Sequence, residues 1–175
     1  QREVLKMAKV CLMQTVKEAS DLEETFDVDI KWKKVLNGVG EVFIDQKGLK
    51  NKFDFDDYII CVGRIEPRKN QLNVIKAVKK LREETKKDIH LVLIGTVGWL
   101  KHFEYNMIFK NLVKENDWIT HIEKVKYENM PLYYKFAKVG VSASWFETTG
   151  LASLEALYCG TNAVASGMRA REYLG

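Results

Sequence analysis

The sequence predicts an α/β fold with an open, doubly wound parallel sheet, and three observations support this prediction. Continuous apolar runs end in glycine, as in YIICVG (residues 58–63) and IHLVLIG (residues 89–95), which is typical of strands buried on both faces. Amphipathic helical patterns lie between the runs. Strand and helix alternate with a spacing of roughly thirty residues, the size of a βαβ unit.

The first part of the chain follows a different pattern. Residues 2–26 indicate a helix, a short strand and a second helix, and KWKKVLNGVG (residues 31–40) indicates a strand that ends in a turn. The segment GLKNKFDFDD (residues 48–57) is polar and turn-like, so we interpret it as a loop before the main sheet.

Strands and helices then alternate to the end of the chain. The predicted strands cover residues 58–63, 89–95, 119–122, 139–144 and 162–166. The predicted helices cover residues 70–84, 103–115, 130–138 and 151–158. Asn70 is expected to cap the first of these helices, and Gly160 is expected to end the last. Ligands of open parallel sheets bind outside the carboxyl ends of the strands, where GRIEPRKN, GTVGW and SWFETTG lie.

Composition and charge narrow the classes of partner. The 175 residues are 46% hydrophobic and 30% charged, with a formal net charge of +4, an ordinary balance for a globular domain. The mild basic excess allows an acidic substrate such as a phosphate or nucleotide. Because KVKKLREETKK alternates in sign, as a solvated helix face does, we expect no nucleic-acid partner.

Cysteine usage and chain ends bear on the cellular setting. Cys11, Cys61 and Cys159 have no paired spacing, which indicates a reducing compartment and predicts a cytoplasmic location. No apolar run approaches the ~20 residues of a membrane span, and no secretory signal is visible. The chain begins without methionine and stops just after a strand-like run, so we expect a fragment of a longer protein.

No metal or cofactor site is predicted. His90, His102 and His121 are isolated, without metal-ligand spacing, and are interpreted as structural. The acids of FDVD (residues 26–29) and FDFDD (residues 53–57) are interpreted as solvated loop residues, because hard cations need several converging oxygens. The common glycine-rich phosphate loops are absent, and GTVGW is interpreted as a strand-ending turn.

The motif VGRIEPRKNQ predicts an anion site. A buried strand ends at Gly63, and Arg64 and Lys69 follow before a helix begins. Arginine presents a planar fork to phosphate oxygens, and lysine adds a mobile point charge. The alternative is a solvated basic loop closed by a Glu66–Arg68 pair.

The stretch SWFETTGLASLEALYCGT predicts a second anion site. A turn leads into a helix that starts at Gly150 and Leu151, where unpaired backbone N–H groups and the positive helix end favour a phosphate. Glu147 and Glu155 flank this point, and a carboxylate can accept hydrogen bonds from vicinal hydroxyls. This layout suits a nucleotide diphosphate sugar. In the alternative, Glu147 caps the turn and Glu155 is a first-turn acid stabilised by the helix dipole.

Five motifs in register resemble the C-terminal, donor-binding half of family-four retaining glycosyltransferases with the GT-B fold. They are VLNGV, VGRIEPRKN, LVLIG, VKYENMPLYYKFAKVGVSAS and FETTGLASLEALYCGTNAVAS. The resemblance implies that residues 1–40 are a remnant of the N-terminal acceptor domain with the interdomain hinge. It also implies that residues 41–175 are the C-terminal nucleotide-sugar-binding domain, truncated at its C-terminus.

The resemblance assigns a role to each matching position. Arg64 and Lys69, beside Gly63, would hold the donor diphosphate, and with Glu147 they would be the catalytic residues. The remaining donor-binding positions follow the same order along the chain: Val125 near the base, Glu147 and Thr149 near the transferred sugar, the amides of Gly150 and Leu151 on phosphate, and Glu155 on the ribose.

Three positions depart from the family pattern. Thr148, Thr149 and Gly150 stand where Gly-Phe-Gly is usual, so two side chains occupy space near the donor sugar. Asn70 replaces the glycine that usually follows the lysine, and Gly40 replaces an aspartate. None of these changes removes a residue assigned to phosphate or ribose.

The expected activity is transfer of a hexose-type sugar from a nucleotide diphosphate sugar to an acceptor, with retention and without a metal. The acceptor, a saccharide or lipid-linked glycan, would be held by the missing N-terminal domain, so the fragment alone is expected to be inactive. Peripheral contact of the full-length protein with the inner face of the cell membrane is left open. The alternatives are a sugar-nucleotide epimerase of GT-B shape and a non-catalytic nucleotide-binding module.

Overall fold

A computed structural model describes residues 1–44, 46–98 and 101–166 of the chain. These residues form two compact units. The first comprises Gln1–Gly38 and Glu147–Thr149, and the second comprises Val39–Phe146 and Gly150–Ser166. The predicted end of the nucleotide-sugar-binding domain at residue 175, and Trp99 of GTVGW, lie outside the described residues. That residues 1–40 are a remnant of an acceptor domain stays a prediction.

The first unit has the predicted order of elements. It contains α1 (Arg2–Met7), β1 (Cys11–Met13), α2 (Val16–Phe26) and β2 (Trp32–Lys34), and the two strands pair in parallel. The Thr15 hydroxyl caps α2 by accepting from the backbone N–H of Glu18 at 3.0 Å. Among its described residues, Met13, Ala19 and Ile30 form the buried apolar core, and partly buried residues such as Leu22 and Trp32 pack against it.

The second unit is a five-stranded parallel sheet with helices on both faces. Its strands are β3 (Tyr58–Val62), β4 (His90–Ile94), β5 (Ile119–Ile122), β6 (Val139–Ser142) and β7 (Asn162–Ala165). Its helices are α3 (Gln71–Thr85), α4 (Phe103–Glu115), α5 (Pro131–Tyr134) and α6 (Leu151–Tyr158), with 3-10 turns at Glu41–Phe43, Pro67–Lys69 and Tyr127–Asn129. The strand order is β5-β4-β3-β6-β7. The predicted doubly wound parallel sheet is therefore confirmed.

The strand order contains one reversal of direction. The chain passes from β3 outward through β4 to β5 and then returns to β6, which pairs with the opposite edge of β3. A ligand-binding crevice of such a sheet lies outside the carboxyl ends of the strands at this switch point. The loop after β3 and the turn after β6 are the segments that flank it.

Both faces of the sheet are buried, as the continuous apolar runs predict. Tyr58 and Ile60 of β3 face a core cluster that includes residues of α5 and α6. Cys61, one position further along the strand, faces a second cluster that includes residues of α3 and α4. Side chains that alternate between two buried cores require an apolar residue at nearly every strand position.

Two glycines allow close packing in this sheet. A Cβ atom on Gly95, after β4, would lie 2.1 Å from the carbonyl oxygen of Gly63, after β3. A Cβ atom on Gly140 of β6 would lie 2.9 Å from the Cβ atom of Ala156, where α6 packs on the sheet. Glycine is thus required at both positions by neighbouring atoms.

The ends of three helices refine the sequence predictions. Asn70 occupies the N-cap position of α3, but its side chain does not cap the helix. Instead Asn70 has φ 60°, a left-handed conformation that asparagine and glycine adopt most readily, which explains how it replaces glycine there. Gly160, with φ 79°, ends α6 as predicted. The predicted helix at residues 130–138 is shorter, because α5 ends at Tyr134.

Hydrogen bonds at the end of α6 form a Schellman motif. The N–H of Gly160 donates to the carbonyl of Leu157, and the N–H of Thr161 donates to the carbonyl of Ala156, both at 2.9 Å. Over the described ranges, none of the helices has the length and apolar content that crossing a membrane requires.

Candidate functional site

The loop after β3, residues 63–70, carries the predicted cations and is called the β3 loop below. The guanidinium of Arg64 is mostly exposed, with 71% of the side chain accessible, and Glu66 Oε2 lies 3.8 Å from its Nη2. Lys69 is half-buried, and its Cδ and Cε atoms lie 3.4 Å from the position a Cβ atom would take on Gly63. The lysine stem therefore lies within van der Waals distance of Gly63, at the end of β3.

The buried side chain of a glutamine holds the β3 loop in place through hydrogen bonds. Gln71, the first residue of α3, is 1% exposed, and its Nε2 donates to the carbonyl of Arg64 at 2.8 Å. Its Oε1 accepts from the hydroxyl of Tyr105 on α4 at 3.1 Å. Sequence reasoning missed this residue. A glutamine at the start of a helix gives no local sign that it is buried, and only its place at the end of GRIEPRKNQ could have suggested a role.

Arg68 joins the β3 loop to the turn after β6. Its Nη2 lies 2.9 Å from Glu66 Oε1, and its Nη1 donates to the carbonyl of Phe146 at 2.8 Å. The N–H of Trp145 donates in return to the Arg68 carbonyl at 2.9 Å. The Glu66–Arg68 pair of the alternative interpretation is thus present. However, the loop is not merely solvated, because the pair braces it against a second loop.

The turn after β6 ends in an uncapped helix start. Gly150 is the N-cap of α6 with φ 65°, no side chain caps the helix, and its first turn contains no acid. Nothing lies within 4 Å of the position that a Cβ atom on Gly150 would occupy. The N–H groups of Leu151 and Ala152 have no intrahelical acceptor, whereas those of Ser153 and Leu154 already donate to the Gly150 carbonyl. An anion can therefore approach this backbone closely, as the sequence predicts.

Glu155 lies deeper in α6 than the alternative interpretation assumed. It is the fifth residue of the helix and not a first-turn acid, so that interpretation is wrong. Its Oε2 accepts a hydrogen bond from the hydroxyl of Tyr134 at 3.0 Å. Burial raises the pKa of the Glu155 carboxyl above its usual range, and the Tyr134 hydrogen bond opposes that shift.

Glu147 and Thr149 belong to the first unit. Thr149 is buried, and its hydroxyl accepts from Asn37 Nδ2 at 3.0 Å and donates to Gln14 Oε1. The hydroxyl of Thr149 therefore holds that unit together. Glu147 is half-buried. The predicted contacts of both residues with a donor sugar stay predictions.

Val125 and the histidines occupy packed positions. Val125 is partly buried against the core cluster of Phe43 and Tyr134, and its nearness to a base stays a prediction. The ring of His90 stacks on Phe55 at 4.0 Å between centroids, and His121 Nε2 lies 2.9 Å from the Gly95 carbonyl oxygen. The contact of His121 agrees with its structural interpretation, whereas Nδ1 of His90 is buried without a hydrogen-bond partner among the described residues.

The acids interpreted as loop residues have local partners. Asp27 pairs with Arg2, and Asp57 pairs with Lys138 at 3.2 Å. Among the residues that the structure describes, no group of three or more histidines, cysteines and acids is arranged to hold a metal ion. Independence from metal remains a prediction, because it concerns the reaction.

A separate cleft lies beside α4. It has a volume of about 420 Å³, and none of the predicted donor residues lines it. Its lining comprises Val97, Gly98, Phe103, Asn106, Met107, Lys110, His121 and Glu123. Arg64 and Lys69 instead follow the carboxyl end of β3, and Gly150 follows β6.

The fold and this geometry define an α/β domain with two cationic side chains and an uncapped helix start beside the switch point of its sheet. The family model described as glycosyl transferases group 1 matches residues 43–171, so the chain belongs to this family. The chain is 31% identical over 117 residues to the O-antigen chain mannosyltransferase B of Escherichia coli. This match covers 67% of the chain but only 30% of that relative.

Solved structures show the same fold. The structural match to a sucrose-phosphate synthase from Thermosynechococcus elongatus covers 95% of this chain and 42% of the synthase chain, with a TM-score of 0.77 and 21% sequence identity. The match to Anabaena Alr3699/HepE, in complex with UDP and glucose, covers 97% of this chain and 47% of the HepE chain, with a TM-score of 0.76 and 14% sequence identity. The five-stranded sheet and its helices thus match the Rossmann-like domain of GT-B proteins.

Proposed function

We propose that this chain carries the donor site of a glycosyltransferase that moves a hexose-type sugar from a nucleotide diphosphate sugar to an acceptor with retention. One observation carries the proposal. At the switch point of the sheet, Arg68 ties the cationic β3 loop to the turn that leads into the uncapped N-terminus of α6. Two independent sources of positive potential therefore lie beside the same switch point, which suits a diphosphate.

In this proposal the site acts mainly through electrostatics. When the bond between the sugar C1 and the phosphate oxygen breaks, its electron pair stays on the diphosphate. Arg64, Lys69 and the N–H groups at Leu151 stabilise the charge that develops there. Glu155 binds the ribose hydroxyls, Val125 lies near the base, and Gly63 and Gly150 let the ligand approach the backbone.

Retention is assigned to attack on the same face of the sugar. The acceptor oxygen bonds to C1 on the side from which the diphosphate leaves, and the departing phosphate oxygen takes the acceptor proton. Glu147 and Thr149 are assigned to the transferred sugar. A double displacement through Glu147 is the less favoured route, because a carboxylate there is better suited to binding sugar hydroxyls.

The relatives support a hexose donor and a glycan acceptor. The Escherichia coli relative is named a mannosyltransferase, and the structure of HepE contains UDP and glucose. We assign acceptor binding, to a saccharide or lipid-linked glycan, to a part of the protein that this chain does not include. Transfer needs both reactants in near-attack geometry, so the chain alone should bind a donor without transferring its sugar.

A thermal-shift panel of nucleoside diphosphates and their sugars tests the proposal. A ligand that binds only the folded state raises the apparent melting temperature. We expect one base to give a saturable increase for both the diphosphate and its sugar, and none for the nucleoside. A panel without any shift would overturn the proposal. Release of an altered sugar nucleotide by the full-length protein, without transfer, would favour the epimerase alternative.

A further inference from the structure

A tyrosine on α5 contacts the carboxylate assigned to ribose. Tyr134 is 1% exposed, and its hydroxyl donates to Glu155 Oε2 at 3.0 Å. The two residues come from different helices, which pack in the same core cluster. A buried hydroxyl without a partner is unfavourable, so this contact constrains both side chains.

The position of Tyr134 is itself fixed by its neighbours. Its N–H donates to the Met130 carbonyl at 3.2 Å, and its carbonyl accepts from Ala137 at 2.9 Å and from the hydroxyl of Thr161. Its ring packs at an angle against Phe43, with 6.1 Å between centroids. The hydroxyl is therefore held at one point of the core and presents a fixed donor to the carboxylate.

This contact divides the two oxygens of Glu155 between different partners. An ionised carboxylate accepts hydrogen bonds on both oxygens and donates none. Because Oε2 already accepts from Tyr134 and no other described residue donates to Oε1, Oε1 is the more open oxygen for a ligand hydroxyl. A single torsion about the last side-chain bond sets both positions, so holding Oε2 also orients Oε1.

We propose that Tyr134 is a positioning residue for nucleotide recognition, which holds Oε2 of Glu155 so that Oε1 accepts from the ribose hydroxyls. The inference rests on the proposed function, because it assumes that Glu155 binds ribose. Tyr134, the last tyrosine of the YENMPLYY segment, would then do more than fill the core.

Charges around Glu155 give the contact a second consequence. Cys159, directly after α6, and Cys61 of β3 are the further titratable groups that interact with Tyr134, and Lys135 interacts with Cys159. Burial raises the pKa of the Cys159 thiol to about 11 and that of the Cys61 thiol to about 12, so both stay neutral. The Tyr134 hydrogen bond opposes the rise in the Glu155 pKa that burial causes. Loss of the hydroxyl should raise this pKa further, so ribose binding should fail at a higher pH.

Tyr58 offers a matched control. It is also fully buried in the same core cluster, and its hydroxyl donates to the Tyr133 carbonyl at 2.7 Å. The variants Tyr58→Phe and Tyr134→Phe each remove one buried hydroxyl from a donated hydrogen bond. Only Tyr134→Phe removes a partner of the carboxylate assigned to ribose.

The experiment measures the affinity of both variants for a nucleoside diphosphate and for its 2′,3′-dideoxy analogue by calorimetry over a range of pH. We expect Tyr134→Phe to weaken binding of the nucleoside diphosphate by about tenfold, as loss of a hydrogen bond to a charged group does. Binding of the dideoxy analogue should be unchanged. Tyr58→Phe should change neither affinity, and the acid limb of nucleotide binding should move to higher pH only in Tyr134→Phe.

Equal losses for the two ligands, or no loss for either, would overturn the inference while the proposed function stands. Absence of binding to the unmodified chain would instead overturn the proposed function, and the inference with it. In a Glu155→Ala background, Tyr134→Phe should no longer change the ratio of the two affinities. A ratio that still changes there would show that the tyrosine acts through another group.

Discussion

The β3 loop and the turn after β6 flank the same switch point, yet one presents charged side chains and the other presents main-chain N–H groups. The β3 loop presents the cations of Arg64 and Lys69 and is braced by the buried side chain of Gln71. The turn after β6 presents main-chain N–H groups that begin an uncapped helix at Gly150. Substitution of side chains can therefore remove one half of the proposed anion site but not the other.

Because of this difference, the two segments should tolerate different kinds of substitution. A backbone site depends on conformation, which glycine allows, whereas a side-chain site depends on the length and charge of particular residues. The predictions below test the contrast, from the largest expected effect to the smallest.

Substitution of Gly95, which packs against the start of the β3 loop, and of Gly150, in the turn after β6, should have different effects because the space around the two glycines differs. A Cβ atom at Gly95 would meet the backbone of Gly63 at 2.1 Å, so Gly95→Ala should lower the free energy of unfolding by about 3 kcal/mol. Gly150 has open space, so Gly150→Ala should cost about 1 kcal/mol for its left-handed conformation. Urea denaturation measures both. Equal losses of stability in the two variants would contradict the close approach of Gly95 to the backbone of Gly63.

Removal of a cation should weaken the grip on phosphate. Charge-assisted hydrogen bonds contribute about 1.5–3 kcal/mol each, so Arg64→Ala or Lys69→Ala should weaken binding of a nucleoside diphosphate tenfold to a hundredfold, roughly. Calorimetry measures the change. Lys80→Ala is the control, because Lys80 is an exposed lysine of α3 that pairs with Glu84. Unchanged affinity in both loop variants would remove these residues from the site.

Loss of the brace between the two segments should have a smaller effect. Arg68→Met removes the hydrogen bond to the Phe146 carbonyl and should weaken nucleoside diphosphate binding by roughly threefold to tenfold, as loss of about one hydrogen bond does. Because Arg68 would not touch phosphate, the salt dependence of binding should stay as in the unmodified chain.

Arg82 provides the comparison for that brace. It pairs with Asp88 at 2.9 Å and donates to the Ile89 carbonyl, directly before the amino end of β4. The proposed site lies instead at the carboxyl ends of the strands. Arg82→Met should therefore leave nucleotide binding unchanged. A flatter salt dependence in Arg68→Met would instead indicate that Arg68 is itself a phosphate ligand.

Removal of metal should have no effect. With two cations and a helix end on the diphosphate, no divalent ion is needed to stabilise the leaving group. Transfer by the full-length enzyme should persist in EDTA. Loss of activity in EDTA that magnesium or manganese restores would contradict this account.

The sequence predicted the sheet and the exposed cations because both depend on local patterns. Strands buried on two faces are apolar throughout, and a basic loop after such a strand is visible without tertiary information. Arg64, Lys69, Gly150 and Glu155 were predicted as site residues from such local patterns, and their contacts with a ligand stay predictions. The alternative dipole interpretation of Glu155 was wrong, because the helix begins at Leu151 and places this acid a full turn inside.

The bracing residues could not be predicted in the same way. Arg68 meets Phe146 across 78 residues, Tyr134 meets Glu155 across 21, and Gln71 meets Tyr105 across 34. Such contacts depend on strand order, which brings β6 beside β3, and no local pattern encodes it. The side-chain role expected for Asn70 failed for a related reason, since its backbone conformation is set by the turn before it.

The most direct measurement of the central claim is a backbone NMR titration of the chain with a nucleoside diphosphate that binds. The account predicts that amide resonances of the β3 loop, at Arg64 and Lys69, and of the start of α6, at Leu151 and Ala152, shift together at one ligand concentration. Perturbations confined to one of the two segments, or centred on Met107 and Lys110 in the cleft beside α4, would contradict a single diphosphate site at the switch point.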